Sequence, residues 1–265
     1  MTYPISERSC RGCDLMIFYF SATGNSKYLA QKLQDITGDE MYDIAAELRG
    51  NCGYTLADDE IVYIVSPVYF FGMPLNVKEF IDRMSFNRRP DVDIMINFGT
   101  LPGDAIHAFE KELNAKGFNV RNRYGTRMPE NYIILFRPPK DDRMVHLLDD
   151  ADRMMEEVSE TIRSGCVKDV GIKKNILMNI FGHIARPIYV YGRRTRGFHI
   201  NTSCSGCGKC VDLCPEGIIE MQDDAPVWTE KKCLRCCSCI NRCPHKAIEF
   251  GFLTKGRRRY HNPRI

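Results

Sequence analysis

Residues 15–33 read LMIFYFSATGNSKYLAQKL. The apolar run from Leu15 to Phe20 has the length of a buried strand, and the stretch from Asn25 to Ile36 has the composition of a helix. Between strand and helix stand Ser21, Thr23 and Ser26, with Gly24 and Asn25. A loop in that position aims backbone N–H groups and the positive end of a helix at whatever lies above it, which suits an anion. The three hydroxyls add donors, Gly24 lets the backbone approach closely, and Asn25 adds an amide or caps the helix. The plainer alternative is a helix N-cap, for which Ser, Thr and Asn are preferred residues. The spacing is neither G-x-G-x-x-G nor a Walker loop, which needs Gly-Lys-Ser/Thr.

The same alternation continues outward. Strands are predicted at 41–44, 60–66, 92–97 and 118–124, and helices at 75–84, 104–116 and 141–163. Strands alternating with helices imply right-handed crossovers and a parallel sheet covered on both faces. Five strands make an α/β, doubly wound fold. The stretch 128–140, with Pro129, Pro138 and Pro139, reads as a long loop over the sheet edge or its ligand face.

The chain has 265 residues, 44% of them apolar, enough for real cores. Its net charge of +3 hides an asymmetry: residues 1–165 carry 19 Lys and Arg against 26 Asp and Glu, and residues 166–265 carry 18 against 8. Such a split implies two parts with different partners, or parts that attract each other. The opening MTYPISERSC lacks the apolar core of a secretory signal, so a reducing, cytoplasmic compartment is expected. No run of 18 apolar residues exists, and no transmembrane segment is expected.

Nine of the 13 cysteines lie between Cys204 and Cys243, and eight of them form two runs of one spacing. The first is Cys204-x2-Cys207-x2-Cys210-x3-Cys214-Pro215. The second is Cys233-x2-Cys236-x2-Cys239-x3-Cys243-Pro244. Three thiols at i, i+3 and i+6 on a tight loop can each reach one iron of a cubane, and the fourth iron needs a thiolate from elsewhere. Zinc in a four-thiolate site is the alternative, but it leaves four cysteines unused and the doubled Cys-Pro unexplained. The runs resemble those of the 2[4Fe-4S] bacterial ferredoxins over about 50 residues. That resemblance implies a small α+β domain with two [4Fe-4S] clusters, in which the fourth cysteine of each run serves the other cluster. Cys204, Cys207, Cys210 and Cys243 would hold one cluster, and Cys233, Cys236, Cys239 and Cys214 the other. Ser205, Gly206 and Gly208 would allow close turns whose amides donate to cluster sulfurs. Cys237 is expected to be a non-ligand packed beside its cluster.

The first half resembles the flavodoxin family over roughly residues 15–165. FYFSATGNSKYLA matches that family's phosphate loop, so Ser21, Thr23, Gly24, Asn25 and Ser26 would bind the FMN phosphate. Two further loops, SPVYFFGMP at 66–74 and NFGTLPG at 97–103, follow the third and fourth strands. In flavodoxin-like proteins such loops flank the isoalloxazine ring. The resemblance thereby assigns Pro67, Val68, Tyr69, Phe70 and Gly72 to one side. Phe98, Gly99, Thr100 and Gly103 fall on the other. Tyr69 and Phe70 are the stacking candidates, with Phe98 opposite. Free-standing flavodoxins are usually strongly acidic, whereas this half is mildly so. The whole chain resembles the flavodoxin–ferredoxin fusion family of anaerobic bacteria and archaea.

The expected organisation is a flavodoxin-like FMN-binding domain at 1–165, a basic helical connector at 166–199, a ferredoxin domain at 200–252 and a basic tail at 253–265. In the connector, Ile172, Ile176, Leu177, Ile180, Phe181 and Ile184 fall at helical spacing and form one apolar stripe, read as packing between the domains rather than on a membrane. Cys10 and Cys13 form an incidental pair, and Cys52 and Cys166 are isolated. His107, His146 and His183 sit on predicted helices with no triad motif to make them catalytic. The tail, with Lys255, Arg257, Arg258 and Arg259, is a surface for an acidic ferredoxin, and no nucleic acid is expected.

The function expected is electron transfer between two [4Fe-4S] clusters and FMN, onward to a redox partner protein or a small acceptor, with a homodimer as one assembly. Two alternatives are a dedicated flavin reductase of a quinone or nitro-type substrate, with 128–140 as its lid, and a non-enzymatic iron–sulfur redox sensor.

Overall fold

The computed structural model of the chain describes residues 16–56, 60–172, 176–229 and 232–265, with the backbone alone for 176–181 and 183. Cys10 and Cys13, and the side chains of Ile176, Leu177, Ile180, Phe181 and His183, lie outside the described residues. The first half runs β1 (Met16–Tyr19), α1 (Asn25–Thr37), β2 (Met41–Asp43), β3 (Ile61–Pro67), α2 (Leu75–Arg83), β4 (Asp91–Phe98), α3 (Ala105–Ala115), β5 (Asn119–Arg127) and α4 (Asp141–Ser164). There follow α5 (Ile176–Tyr191), β6 (Phe198–Ile200), α6 (Lys209–Asp212), β7 (Ile219–Gln222), β8 (Ala225–Trp228), α7 (Ser238–Asn241) and β9 (Ile248–Phe250).

The five long strands form one parallel sheet in the order β2-β1-β3-β4-β5. Successive strand side chains point to opposite faces. Phe18, Ile64 and Ile94 therefore face Val77 and Phe80 of α2 and Phe109 of α3. Ile17, Tyr63 and Met95 face Leu29 and Leu33 of α1 and Val158 of α4. Each such side chain, fully buried, contributes about 1.5–3 kcal/mol. One charge interrupts this interior. The Asp93 carboxylate on β4 has no exposure, and it accepts from the Arg121 guanidinium at 3.1–3.2 Å and from the Asn122 backbone and side-chain amides at 3.1 and 2.9 Å. A buried carboxylate persists only with such partners. The chain leaves β1 toward β2 on one side and reaches β3 on the other, so a crevice opens at the carboxyl ends of β1 and β3.

The second module is small. β6 pairs antiparallel with β9, and β7 with β8. Ile218, Ile219, Ile240 and Ile248 make its core, joined by Ile133 from the loop after β5.

Two expectations about the linking segments are corrected. The predicted apolar stripe is not one buried face: Ile172 packs on the sheet core, whereas Ile184 is 62% exposed. Gly182 and Tyr189 of α5 are buried. The basic tail is also not a free cationic surface. Arg257 donates to the carbonyls of Ile133 and Phe136, both at 3.0 Å, Arg258 pairs with Asp141, and Arg259 pairs with Glu249 at 2.8 Å. Arg264 pairs with Asp149 and Asp152 on the acidic face of α4. The charge asymmetry of the sequence is thus used in part inside the molecule. Among the described residues, no helix is long and apolar enough to cross a membrane.

Candidate functional site

A cavity of about 360 Å³ opens at the carboxyl edge of the sheet, within the range of small-molecule and cofactor sites. The end of β3 and the loop after it contribute Pro67, Val68, Tyr69, Phe70 and Phe71, and the end of β4 and the loop after it contribute Phe98, Gly99, Thr100 and Leu101. The long loop after β5 adds Pro129 to Tyr132, Leu135 and Phe136, so it lies over the ligand face. Ala185 and Ile188 of α5 close one side, and Arg235 and Cys236 of the second module another.

The Tyr69–Gly72 turn is strained. Tyr69 and Gly72 exchange backbone hydrogen bonds of 2.9 and 3.0 Å, and the two residues between them, Phe70 and Phe71, have φ of +49° and +60°. A two-residue turn with both central φ positive favours Asn-Gly, and each bulky residue there costs about 1–3 kcal/mol. Aromatic packing offsets that cost. Phe70 stacks on Tyr189 at 4.9 Å and 13° and meets Tyr132 edge-on at 5.3 Å. Arg186 holds α5 against the turn by donating to the Met73 carbonyl at 2.5 Å. The Tyr69 hydroxyl is buried with no hydrogen-bond partner among the described residues. Burial, with the nearby Cys236 thiol, pushes its pKa far above the ordinary value, so it stays a neutral donor.

Beside the cavity lies the SATGNS loop. Gly24 has φ of +99° and starts α1 with no side-chain cap. The N-cap alternative therefore does not hold, and the first-turn amides are left for an anion. Ser21 Oγ accepts from the Gly24 N–H within the loop at 3.1 Å, and the side chains of Thr23, Asn25 and Ser26 are held by other segments. Thr23 Oγ1 accepts from Asn131 and Ser26 Oγ from Asn97, both at 2.6 Å. An accepting hydroxyl keeps its own proton to donate. Asn25 donates to the Pro129 carbonyl at 3.0 Å, while its Oδ1 accepts from the Tyr260 hydroxyl at 2.6 Å. The Asn262 N–H donates to the Thr23 carbonyl at 2.9 Å, and a Cβ on Gly24 would come within 2.9 Å of Asn262 Cβ. Ser238 of α7 donates to the Ala22 carbonyl at 2.9 Å.

Two more cavities lie in the second module. Cys204, Cys207, Cys210 and Cys243 line one, and Cys214, Cys233, Cys236 and Cys239, with Cys237 beside them, line the other. The fourth cysteine of each run thus stands with the first three of the other. The first set is half-buried apart from the exposed Cys207, and the second is buried. Burial pushes the Cys233 thiol up to about 11, and those of Cys236 and Cys239 well above their ordinary value. Thiolates in so dry a site need the positive charge of iron beside them, and four thiols around a cavity fit a cubane. Among the described residues, no three His, Cys, Asp or Glu side chains converge as ligands of a single metal ion. Backbone N–H groups donate to sulfur, from Arg235 to Cys233 and from Ala247 to Cys243, both at 3.3 Å.

Comparison with known proteins agrees with this division. Residues 16–116 match the family model described as a flavodoxin domain, and residues 197–244 match that of a 4Fe-4S dicluster domain. The chain joins a flavodoxin domain to a 4Fe-4S dicluster domain. The pairing supports a flavin and iron–sulfur electron-transfer protein, with FMN and [4Fe-4S] clusters as cofactors. No curated protein matches the chain. Among solved structures, a flavoprotein in complex with FMN from Lactobacillus acidophilus is 19% identical, over 44% of this chain and 93% of its own, with a TM-score of 0.32. An azoreductase from Bacillus anthracis is 8% identical, over 57% of this chain and 100% of its own, with a TM-score of 0.37. At these values neither bears on the site.

In the flavodoxin domain, Asn25, Pro67, Val68, Tyr69, Phe70, Phe98, Gly99 and Thr100 line the cavity. Ser21, Thr23, Gly24 and Ser26 sit beside it in the phosphate-type loop rather than on its wall. Gly72 packs under the Arg186 guanidinium and Gly103 against Phe71, so both serve packing of the loops. Sequence reasoning missed Tyr189, Arg186, Asn131, Tyr260 and Asn262. None lies in a motif. Their roles come from contacts across more than 100 residues of chain, apart from the contact of Tyr189 with the dicluster domain at Leu234.

Proposed function

We propose that the chain passes electrons between two [4Fe-4S] clusters and FMN, and from the flavin end to a partner protein or a small acceptor. One observation carries this reading: Cys236 lines both the buried thiol cavity and the flavin-sized cavity. A cluster held by Cys214, Cys233, Cys236 and Cys239 would share a wall with the flavin. The set Cys204, Cys207, Cys210 and Cys243 would lie on the outer side, nearer solvent. Iron–sulfur clusters exchange single electrons, and flavin exchanges one or two.

The chain's own residues supply position and environment. Thr23 and Ser26, oriented by Asn131 and Asn97, hold hydroxyl protons ready for a phosphate, and the first-turn amides of α1 complete the cradle. Tyr69 offers a neutral hydroxyl at the cavity. The β3–α2 and β4–α3 loops, Tyr132 and α5 exclude water. The N–H groups of Arg235 and Ala247 tune the sulfurs that they touch. Carrying both cofactor types on one chain raises their effective concentration toward each other.

Anaerobic purification with iron, sulfide and flavin measured on one sample, then EPR after dithionite reduction, tests the reading. The expected result is about eight irons, eight sulfides and one FMN per chain. Clusters without flavin, even after FMN is added, would overturn it. A second reading, a reductase of a quinone or nitro-type compound, is favoured by the cavity mouth. Leu101, Leu135, Phe136 and Ile188 stand there 39–62% exposed. It requires saturable turnover that falls when these side chains are replaced by serine.

A further inference from the structure

We propose that a groove on the dicluster domain is the docking surface for an acidic one-electron carrier protein. The groove lies between the segment Arg194–Ile200 and the strand β8, and encloses about 840 Å³ of space open to solvent. This inference rests on the cluster reading above and adds the place and chemistry of the partner.

Three observations converge on it. The first is charge. Arg194, Arg196 and His199 line the groove and are exposed, and no acidic side chain lines it among the described residues. The second is position. The floor is Phe198 stacked on Trp228, with ring centres 5.2 Å apart and planes 11° apart. The same two rings line the buried thiol cavity, and Pro226 of the groove lines the outer one. A protein seated here would therefore touch the walls of both cluster sites. The third is the state of the other cations. Arg257, Arg258, Arg259 and Arg264 of the tail are bonded within the chain, which leaves the groove as a concave cationic surface beside the clusters.

The shape favours a protein over a small ligand. The groove is wide and open, its cations are exposed, and its floor is a stacked pair of aromatic rings. Opposite charge across such a surface steers encounter and fixes orientation more than it adds affinity. In each encounter the carrier is oxidised by one electron and this chain is reduced by one, so two encounters supply a pair.

The test uses the full-length protein with its clusters and flavin, and an acidic bacterial 2[4Fe-4S] ferredoxin as probe. Binding is followed by calorimetry at low and high salt. The wild type is expected to bind the ferredoxin in a salt-sensitive way. The double variant R194E/R196E should bind at least tenfold more weakly at low salt, with unchanged iron and flavin content and unchanged reduction by dithionite. Lys255→Glu, at an exposed residue that does not line the groove, should bind as the wild type does. Unchanged binding by R194E/R196E would overturn the proposal, as would an equal loss with Lys255→Glu. Absence of wild-type binding, with a nucleoside triphosphate instead saturating the groove at one per chain, would overturn it in favour of a small anion. Iron and sulfide measured on the same samples separate these outcomes from failure of the cluster reading, which would show as missing clusters.

Discussion

In the first cysteine run, the residues with left-handed backbone are Gly206, Gly208 and Gly217; at the same places relative to the second run stand Arg235, Cys237 and Lys246, with φ of +58°, +57° and +50°. The backbone path is shared, and the side chains are not. Winding three thiols around one centre demands the left-handed positions, whatever residue fills them. Glycine adopts them freely, whereas other residues give up about 1–2 kcal/mol at each. The second run accepts that strain where its side chains have other tasks. Arg235 donates to the Gly192 carbonyl at 2.8 Å and lines the flavin-sized cavity. Cys237 is 2% exposed and packs beside the buried thiols. The first run lines the outer cavity on the solvent side and lends Cys214 to the inner one. The inner run also builds the boundary between two domains.

The sharpest way to break this comparison is to remove one thiol from each set. Cys207→Ser is expected to lose about four of eight irons, the content of one cubane, and to keep the fold and the flavin. Cys239→Ser should lose its cluster and weaken flavin binding as well. Cys239 lies in α7 between Ser238 and Asn241, which bond to the Ala22 and Asn131 carbonyls beside the phosphate-type loop. Iron and FMN quantified on both variants decide the point. Equal flavin loss in the two would show that the second run does not support the flavin site more than the first.

A smaller effect is expected where the tail meets the SATGNS loop. Tyr260→Phe removes the 2.6 Å hydrogen bond to Asn25, and Asn262→Ala removes the 3.3 Å one. A hydrogen bond in a buried network is worth about 1–1.5 kcal/mol, or roughly tenfold in affinity. Titration of FMN into flavin-free protein with clusters intact, followed by fluorescence quenching, should show weaker binding in each variant at constant iron content. Unchanged affinity in both would mean that the tail merely covers the loop.

These contacts mark where the sequence was legible and where it was not. SATGNS and the two cysteine runs are local: their spacing states the backbone path, and α1 and the thiol loops follow from neighbouring residues. The central strands were legible because residues 16–20, 62–66 and 92–97 are buried on both faces and read as mainly apolar runs, interrupted at Asp93. Tyr260 was read as part of a solvated basic tail because nothing near it in sequence shows that Asn25 waits 235 positions away. The exposure of Ile184 was hidden for a related reason. Helical periodicity says that one face is apolar, but not that the contacts of Arg186 and Tyr189 would leave Ile184 turned outward. Spacing identifies ligand sets; it does not identify what holds two domains together.

Cys237 sharpens the comparison at smaller scale. Cys237→Gly gives the second run the residue that the first run has at Gly208. Iron content should stay at the wild-type value, because eight other thiols already fill the two sets. A loss of about four irons per chain, one cubane's worth, would make Cys237 a ligand and undo the assignment of Cys236 or Cys239.

The smallest effects expected are at Gly217 and Lys246, which answer to each other. A Cβ on Gly217 would meet nothing within 4 Å, so Gly217→Ala reports backbone strain alone. With φ of +58° at that position, it should lower stability by about 1 kcal/mol. Lys246→Gly should do the reverse by a smaller margin, about 0.5 kcal/mol, because glycine also loses more freedom on folding. Lys246 is exposed and its backbone N–H bonds to the Cys243 carbonyl at 3.1 Å, a bond that the substitution keeps. Thermal unfolding of the cluster-loaded protein under anaerobic conditions should therefore move in opposite directions for the two variants. A shift of the same sign in both would mean that the two runs do not share one backbone strain, and that Lys246 contributes a contact that its exposure conceals.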